Sequence, residues 1–343
     1  MNIMPSSRSR TLATSLLLIV MGCSGGSAAG GPSNAPRVGP RAPSSRTPPS
    51  PAAGAADADP WPELGGWVEL ETSPGGPELA EGARAVREKD WRGARTAFEA
   101  ALTSLDGEAR LDLYLAGQAL LGRACAAQGD APAASAAFGR VLRRWNGAAT
   151  ARAVIAGAGD DGAPGERLQR VLLAVGEAMF FEGEQKRATL ERARMPTFAG
   201  PADDAAIDRF VVDRVSPWID AKQPLLLDAE AAYARVVALE PAPPPRWAVR
   251  AAARVGQIRG RFAAELRAAP IPAAWRGKGA VAGDPRRSRA DVRATYYRAI
   301  DRRAAPLVDR ARVAFEACEK LARDLGYHDE LTRTCTAWLD TRR

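Results

Sequence analysis

An all-α fold follows from three observations on this 343-residue chain. Hydrophobic residues make up 46% of it, yet aromatics only 6%, and much of the apolar content is alanine. Small alanine faces suit closely packed helices, whereas sheets favour β-branched and aromatic side chains. From Gly82 onward, apolar residues recur at helical spacing through most of the chain. An alanine followed four residues later by an aromatic recurs along the chain, as in Ala94/Phe98, Ala134/Phe138, Ala229/Tyr233 and Ala311/Phe315. The length accommodates one large domain or two ordinary ones.

The N-terminus reads as an export signal. Arg8 and Arg10 precede an apolar stretch, Leu12 to Met21, that stops at Gly22-Cys23. A charged region, a short apolar region and a small residue at the cut form a secretory pattern. About ten apolar residues cannot cross roughly 30 Å of hydrocarbon as a helix. Val20-Met21-Gly22-Cys23 resembles the lipobox of bacterial lipoproteins, with Met21 the departure from the usual pattern. The resemblance implies removal of residues 1–22 and diacylation of the Cys23 sulfur. It places the protein as an exported, membrane-anchored lipoprotein, at the outer membrane or periplasmic face rather than in the cytoplasm. Residues 23–60 then hold the lipid-attachment cysteine and a Pro/Gly/Ser/Ala stretch with almost no large apolar residue. Such a segment buries too little to offset its ordering entropy and is expected to be a disordered tether, roughly 30–36 Å end to end by flexible-coil scaling. Trp67-Val68-Glu69-Leu70-Glu71 alternates as a short strand does, or as an extended segment lying on the first helix.

Residues 61–148 carry a repeat. One copy reads Gly82 … Asp90-Trp91 … Ala94 … Phe98, and the next Leu121-Gly122 … Cys125 … Gly129-Asp130 … Ala134 … Phe138 … Val141. These resemble the tetratricopeptide repeat, in which Leu-Gly, an aromatic, a Gly-Asp turn and Ala-x3-aromatic follow at fixed offsets; Cys125 stands where tyrosine is usual. The resemblance implies helical hairpins stacked into a short solenoid, with no cofactor and with another protein's peptide or helix as the ligand. Gly122 and Ala134 are expected where the two helices of a hairpin touch. Phe98 and Phe138 are expected to fill the groove between one hairpin and the next, and Trp91 to complete this repeat core.

Residues 149–165 are Gly-, Ala- and Asp-rich and read as a linker. They lack the downstream carboxylate of a calcium loop. Residues 166–343 read as a divergent, long-helix version of the same repeat, with helices broken near Met195-Pro196, at Pro217 and Pro224, after Glu240, and at Pro270-Ile271-Pro272. Val175-Gly176, Met179 and Gly183-Glu184 together echo part of the repeat and Val255-Gly256 its first helix; Ala229/Tyr233 matches the second helix, and Ala311/Phe315 repeats the Ala-x3-aromatic spacing. Asp203-Asp204 after Pro201 suits a helix start, where negative charge is favoured. The final segment, Phe315-Glu316-x-Cys318 … Gly326-Tyr327 … Cys335, resembles the C-terminal parts of repeat proteins of myxobacterial cell envelopes.

Net charge is +8, with Arg8 and Arg10 in the leader. The remaining excess sits in residues 276–303, which hold nine basic and three acidic residues. Arg286, Arg287, Arg289 and Arg293 head this stretch as candidates for an anionic partner such as lipid headgroups, an anionic envelope polymer or an acidic protein tail, the alternative being a solvated face. Nucleic acid is not expected as a partner of an exported protein. Cys318 and Cys335 flank Gly326-Tyr327 symmetrically, so a disulfide between antiparallel helices is expected, with two buried thiols as the alternative. His328, the only histidine, sits in the intervening turn with nothing to orient it for catalysis. No metal-ligand spacing, nucleophile elbow or phosphate loop is present in the sequence. The expectation is a non-catalytic scaffold that binds an envelope or periplasmic protein, the alternative being a structural or assembly factor that holds anionic lipid or polymer through residues 276–303.

Overall fold

The computed structural model describes residues 77–107, 109–157, 164–201, 203–269, 271, 275–281 and 284–342. The leader, Cys23, the tether and Trp67–Glu71 lie outside them. The described chain is all-α except for one short ribbon. Its helices are α1 (Pro77–Arg87), α2 (Trp91–Ser104), α3 (Leu111–Ala127), α4 (Ala131–Arg144), α5 (Ala148–Ala156) and α6 (Pro164–Arg192). They continue as α7 (Asp204–Phe210), α8 (Ser216–Val237), α9 (Pro245–Arg267), α10 (Arg289–Leu325) and α11 (Glu330–Asp340). A single π turn, Val211–Val215, joins α7 to α8. The antiparallel strands β1 (Ala280–Val281) and β2 (Asp284–Ser288) lead into α10, where sequence reading placed only a loop.

Helix starts follow capping chemistry. Asp90 and Asp130 accept hydrogen bonds from the Gly93 and Ala133 amides, at 2.9 and 3.1 Å. Each satisfies an otherwise orphaned N–H, a contribution of about 1 kcal/mol. Asp203 caps α7 by accepting from Ala206 N at 2.7 Å, as its place after Pro201 suggests. Asp329 and Thr332 form a capping box at α11. Gly326, in the left-handed region at φ 63°, ends α10.

The proposed 149–165 linker is largely replaced by structure: α5 covers its first half and α6 begins at Pro164. Residues 158–163, between them, lie outside the described set. Alanine outweighs glycine in this stretch, so Ala148–Ala156 holds a helix and buries Val154. Because α6 packs on α3, α4 and α5, no boundary separates the two halves. One hydrophobic cluster runs from Leu79 to Leu339. A second, richer in aromatics, is enclosed by the 195–215 segment, α9 and the first half of α10.

Cross-contacts fix the helix directions. Glu182 pairs with Arg235 and Lys186 with Asp228, so α6 and α8 run antiparallel. Between α6 and α9, Glu184–Arg254, Glu191–Arg261 and Met195–Glu265 all stand 70 residues apart. That constant offset means α6 and α9 lie parallel and in register. Asp112–Arg170 and Arg123–Glu177, 58 and 54 residues apart, make α3 and α6 parallel as well. Successive antiparallel helices therefore form hairpins, and α3, α6 and α9 lie side by side.

Each of four hairpins closes on the same device. A glycine on the first helix faces an aromatic ring on the second: Gly82 to Phe98, Gly122 to Phe138, Gly183 to Tyr233 and Gly256 to Phe315. A Cβ at Gly122 would stand 2.8 Å from the Phe138 ring, and the other three would come closer still. The alanine one turn before each ring (Ala94, Ala134, Ala229, Ala311) is 0% exposed. This corrects the expected place of Phe98 and Phe138, whose rings press on a glycine of their own hairpin. Phe138 also reaches the next hairpin, with its centroid 4.5 Å from that of Phe181. Gly176 does not belong to the device; it faces Trp247. Trp91 is only half-buried at the start of α2, at the rim of the core, where its carbonyl accepts from Gln128 Nε2 at 2.8 Å.

Candidate functional site

Helices α3, α6 and α9 share a seam of charge, buried along most of its length and exposed at its Glu191–Arg261 end. On α6, Arg170, Glu177, Glu184 and Glu191 recur every seven residues, a spacing that keeps them within about 20° of one line per step. Each meets an opposite charge. The first two face α3, through Asp112 and Arg123, and the last two face α9, through Arg254 and Arg261. Helix α6 thus clasps α3 with its first half and α9 with its second. The ladder continues sideways, as Arg250 donates to Asp329 at 2.7 Å and Gln257 to Thr334 at 3.1 Å, joining α9 to α11. Beneath it Glu230 holds Arg259 between α8 and α9, both oxygens engaged.

Burial makes these pairs consequential. Arg123 is 1% exposed and Glu177 fully buried, joined by two parallel bonds of 2.7 Å. Burial would push the Glu184 carboxyl upward, but Arg254 and Arg187, with a hydrogen bond from Tyr233, hold it below the usual glutamate range. The Tyr233 hydroxyl is driven well above its ordinary value by burial and by the adjacent Glu184 charge. Asp112 also titrates low: burial opposes this, but Arg110, Arg167 and Arg170 outweigh it. Breaking one such pair strands its partner in a poorly solvated site, at about 3–5 kcal/mol.

The basic residues singled out in the sequence have internal work. Arg287 pairs with Asp204 at 2.5 Å, which ties β2 to α7. Arg289 donates to the Arg276 carbonyl at 3.1 Å, and Arg293 to the carbonyls of Trp275 and Gly277. They pin the 275–279 loop and, through it, the fully buried Trp275. Arg286 is exposed on β2. Outward-facing charge of the stretch lies further on, where Arg302 and Arg303 line a shallow cleft of about 400 Å³ with Asp208, Val211, Val212 and Ala299.

Cys318 and Cys335 are brought together across the α10–α11 turn, as symmetry about Gly326-Tyr327 implied, but as free, fully buried thiols; the expected disulfide is not formed. The Cys335 thiol, hydrogen-bonded with Cys318 and buried, is raised far above its ordinary value. Cys125 is likewise a free buried thiol, packed as a small core residue. His328 is exposed.

Sequence reading missed the charge ladder, although the heptad of Arg170, Glu177, Glu184 and Glu191 was available as its signal. It also missed the aromatic cluster of Phe198, Phe210, Trp275 and Tyr296, whose members are scattered over about a hundred residues with no shared period. Among the described residues, no group of three or more His, Cys, Asp or Glu is arranged to hold a metal ion. No described helix is long and apolar enough to cross a membrane. Compared with known proteins, the chain matches no family model, no curated protein and no solved structure.

Proposed function

We propose that this protein is a non-catalytic, lipid-anchored adaptor of the cell envelope, in which tetratricopeptide-like hairpins stack into a short solenoid that binds a segment of another protein. The observation that carries the reading is the glycine–aromatic hairpin, repeated four times, with α3, α6 and α9 parallel. Stacked hairpins of this kind bury a continuous core, and the row of α3, α6 and α9 comes to the surface at positions such as Glu191 and Arg261, where a partner can dock. Such a row receives a peptide or helix lengthwise. The anchor reading rests on Val20-Met21-Gly22-Cys23, and the stretch from Ser24 to Asp59 serves as the spacer. Internal engagement of Arg287, Arg289 and Arg293 favours this reading over a factor holding anionic lipid or polymer through residues 276–303.

Two measurements test it. A photo-crosslinker at Arg261, on the row of first helices, should trap one discrete partner in cells, while the same group at Arg312, on the outer face of α10, should not. Equal trapping at both positions removes the adaptor reading. A palmitate analogue should label the wild-type chain and leave Cys23→Ala unlabelled; an unlabelled wild type removes the anchor.

A further inference from the structure

We infer that Arg246 is the anchor point for an acidic side chain carried by the bound partner segment, an inference that rests on the adaptor reading and gives the partner a chemistry. Arg246 is the second residue of α9, at the side of the charged seam. Its neighbour Trp247 packs on Gly176 and on the Phe180 ring, 5.2 Å between centroids, which fixes this turn against α6. Arg123 and Arg250 lie near Arg246, and among the described residues the carboxylates beside them are Glu177 and Asp329.

Both carboxylates are committed. The two oxygens of Glu177 accept from Arg123 Nε and Nη2, at 2.7 Å each. Asp329 Oδ2 accepts from Arg250 Nε at 2.7 Å and from the Tyr327 hydroxyl at 3.4 Å; its Oδ1 accepts from Thr332 N at 3.0 Å. Arg246 Nη1 is buried with no hydrogen-bond partner. Burial, with Arg123 and Arg250 close by, disfavours its charged form, and Glu177 and Tyr327 offset this only in part.

A stranded donor of this kind costs about 1–3 kcal/mol, and more when charged. An arginine cannot escape by losing its proton near neutral pH. An incoming anion relieves both the unmade bond and the uncompensated charge. Helix α9 sharpens the demand: it starts after Pro244 with no side-chain cap and no acid in its first turn, so its amide end adds partial positive charge. The side chain of Arg246 as a whole is only half-buried, so part of it stays open to an arriving acid. A carboxylate meets the guanidinium fork with two parallel bonds, as Glu177 already does with Arg123.

The test uses the full chain carrying Cys23→Ala, which removes the acyl group, with blocked tetraglutamate as probe, blocked tetraglutamine as its neutral twin, and succinate as a free dicarboxylate. Tetraglutamate should bind, slow hydrogen exchange at residues 246–250, and bind Arg246→Gln at least tenfold more weakly. Arg302→Gln, an exposed control, should bind as wild type does. Arg246→Gln should melt at the wild-type temperature or above it, because it deletes an uncompensated charge. Equal binding of the two peptides, unchanged affinity in Arg246→Gln, or equal losses in Arg246→Gln and Arg302→Gln each overturn the assignment. Succinate competing as strongly as tetraglutamate overturns the peptide as occupant. These failures leave the crosslinking contrast between Arg261 and Arg312 untouched, so the adaptor reading stands or falls separately.

Discussion

The two hydrophobic clusters are built on different rules. The larger one, from Leu79 to Leu339, repeats one small contact, glycine against an aromatic ring, and is laced with ion pairs along α3, α6 and α9. The smaller one has no repeating unit. Phe198 lies tilted 4.8 Å from Trp275 and edge-on 5.0 Å from Phe210, and Trp275 meets Tyr296 edge-on at 5.7 Å, rings drawn from loops and helices with no common spacing. The first is a regular array in which small residues let backbones approach. The second fills the irregular volume where the chain departs from that array, around the π turn and the 275–281 loop. Large flat side chains suit such a gap because each covers much area without demanding a register.

That contrast can be broken at defined points. The largest effect is expected from Arg123→Ala, which leaves Glu177 charged and unpaired; denaturant unfolding should show a loss of about 3–5 kcal/mol for the whole molecule. The double change Arg123→Met with Glu177→Leu should restore most of it, because the pair contributes little once both charges are gone. Trp275→Ala should cost about 3 kcal/mol, the low end for a large aromatic. Its signature is local: hydrogen exchange should accelerate in residues 204–215 and 289–300 while residues 111–144 keep their protection. Uniform acceleration would mean that the two clusters unfold as one.

Gly256→Val should cost about 1–3 kcal/mol by forcing the Phe315 ring out of place. Adding Phe315→Leu should recover part of that in thermal melts, and no recovery would show that the glycine serves another purpose. The smallest effect is electrostatic. Glu184 is held below its unfolded value near 4.5, and Asp112 below 3.8. Their stabilisation is complete above about pH 4.5 and falls away as the pH drops toward the folded values, since the unfolded chain takes up protons first. Glu184→Gln should therefore melt lower than wild type at pH 7 and lose less on acidification; parallel pH curves for the two proteins would remove Glu184 from the account.

The array was legible in the sequence and the annex was not, for a physical reason. Ala94/Phe98 and Ala134/Phe138 keep fixed offsets because each hairpin must satisfy the same contact within a short stretch. Tyr233 and Phe315 kept the Ala-x3-aromatic half of the pattern, but long helices separated them from Gly183 and Gly256, so the pairing partner could not be assigned. Arg287, Arg289 and Arg293 read as a surface patch because charge runs are usually solvated; nothing local revealed that Asp204 and the carbonyls around Trp275 were waiting for them. The ion ladder left a sevenfold trace on α6, but a trace on one helix names no partner until its neighbours are placed.

The sevenfold trace also restricts how this chain can change length. Between Glu177, which faces α3, and Glu184, which faces α9, α6 makes about two turns. One residue inserted there would swing everything beyond it by about 100° and point Glu184 and Glu191 away from Arg254 and Arg261 together. An insertion of seven residues would keep the angle but slide the second half by about 10 Å. Helix α6 therefore behaves as a shaft with keys cut at both ends, in which phase and length are fixed together, and homologues of any depth are expected to vary in length at the loops on either side of it.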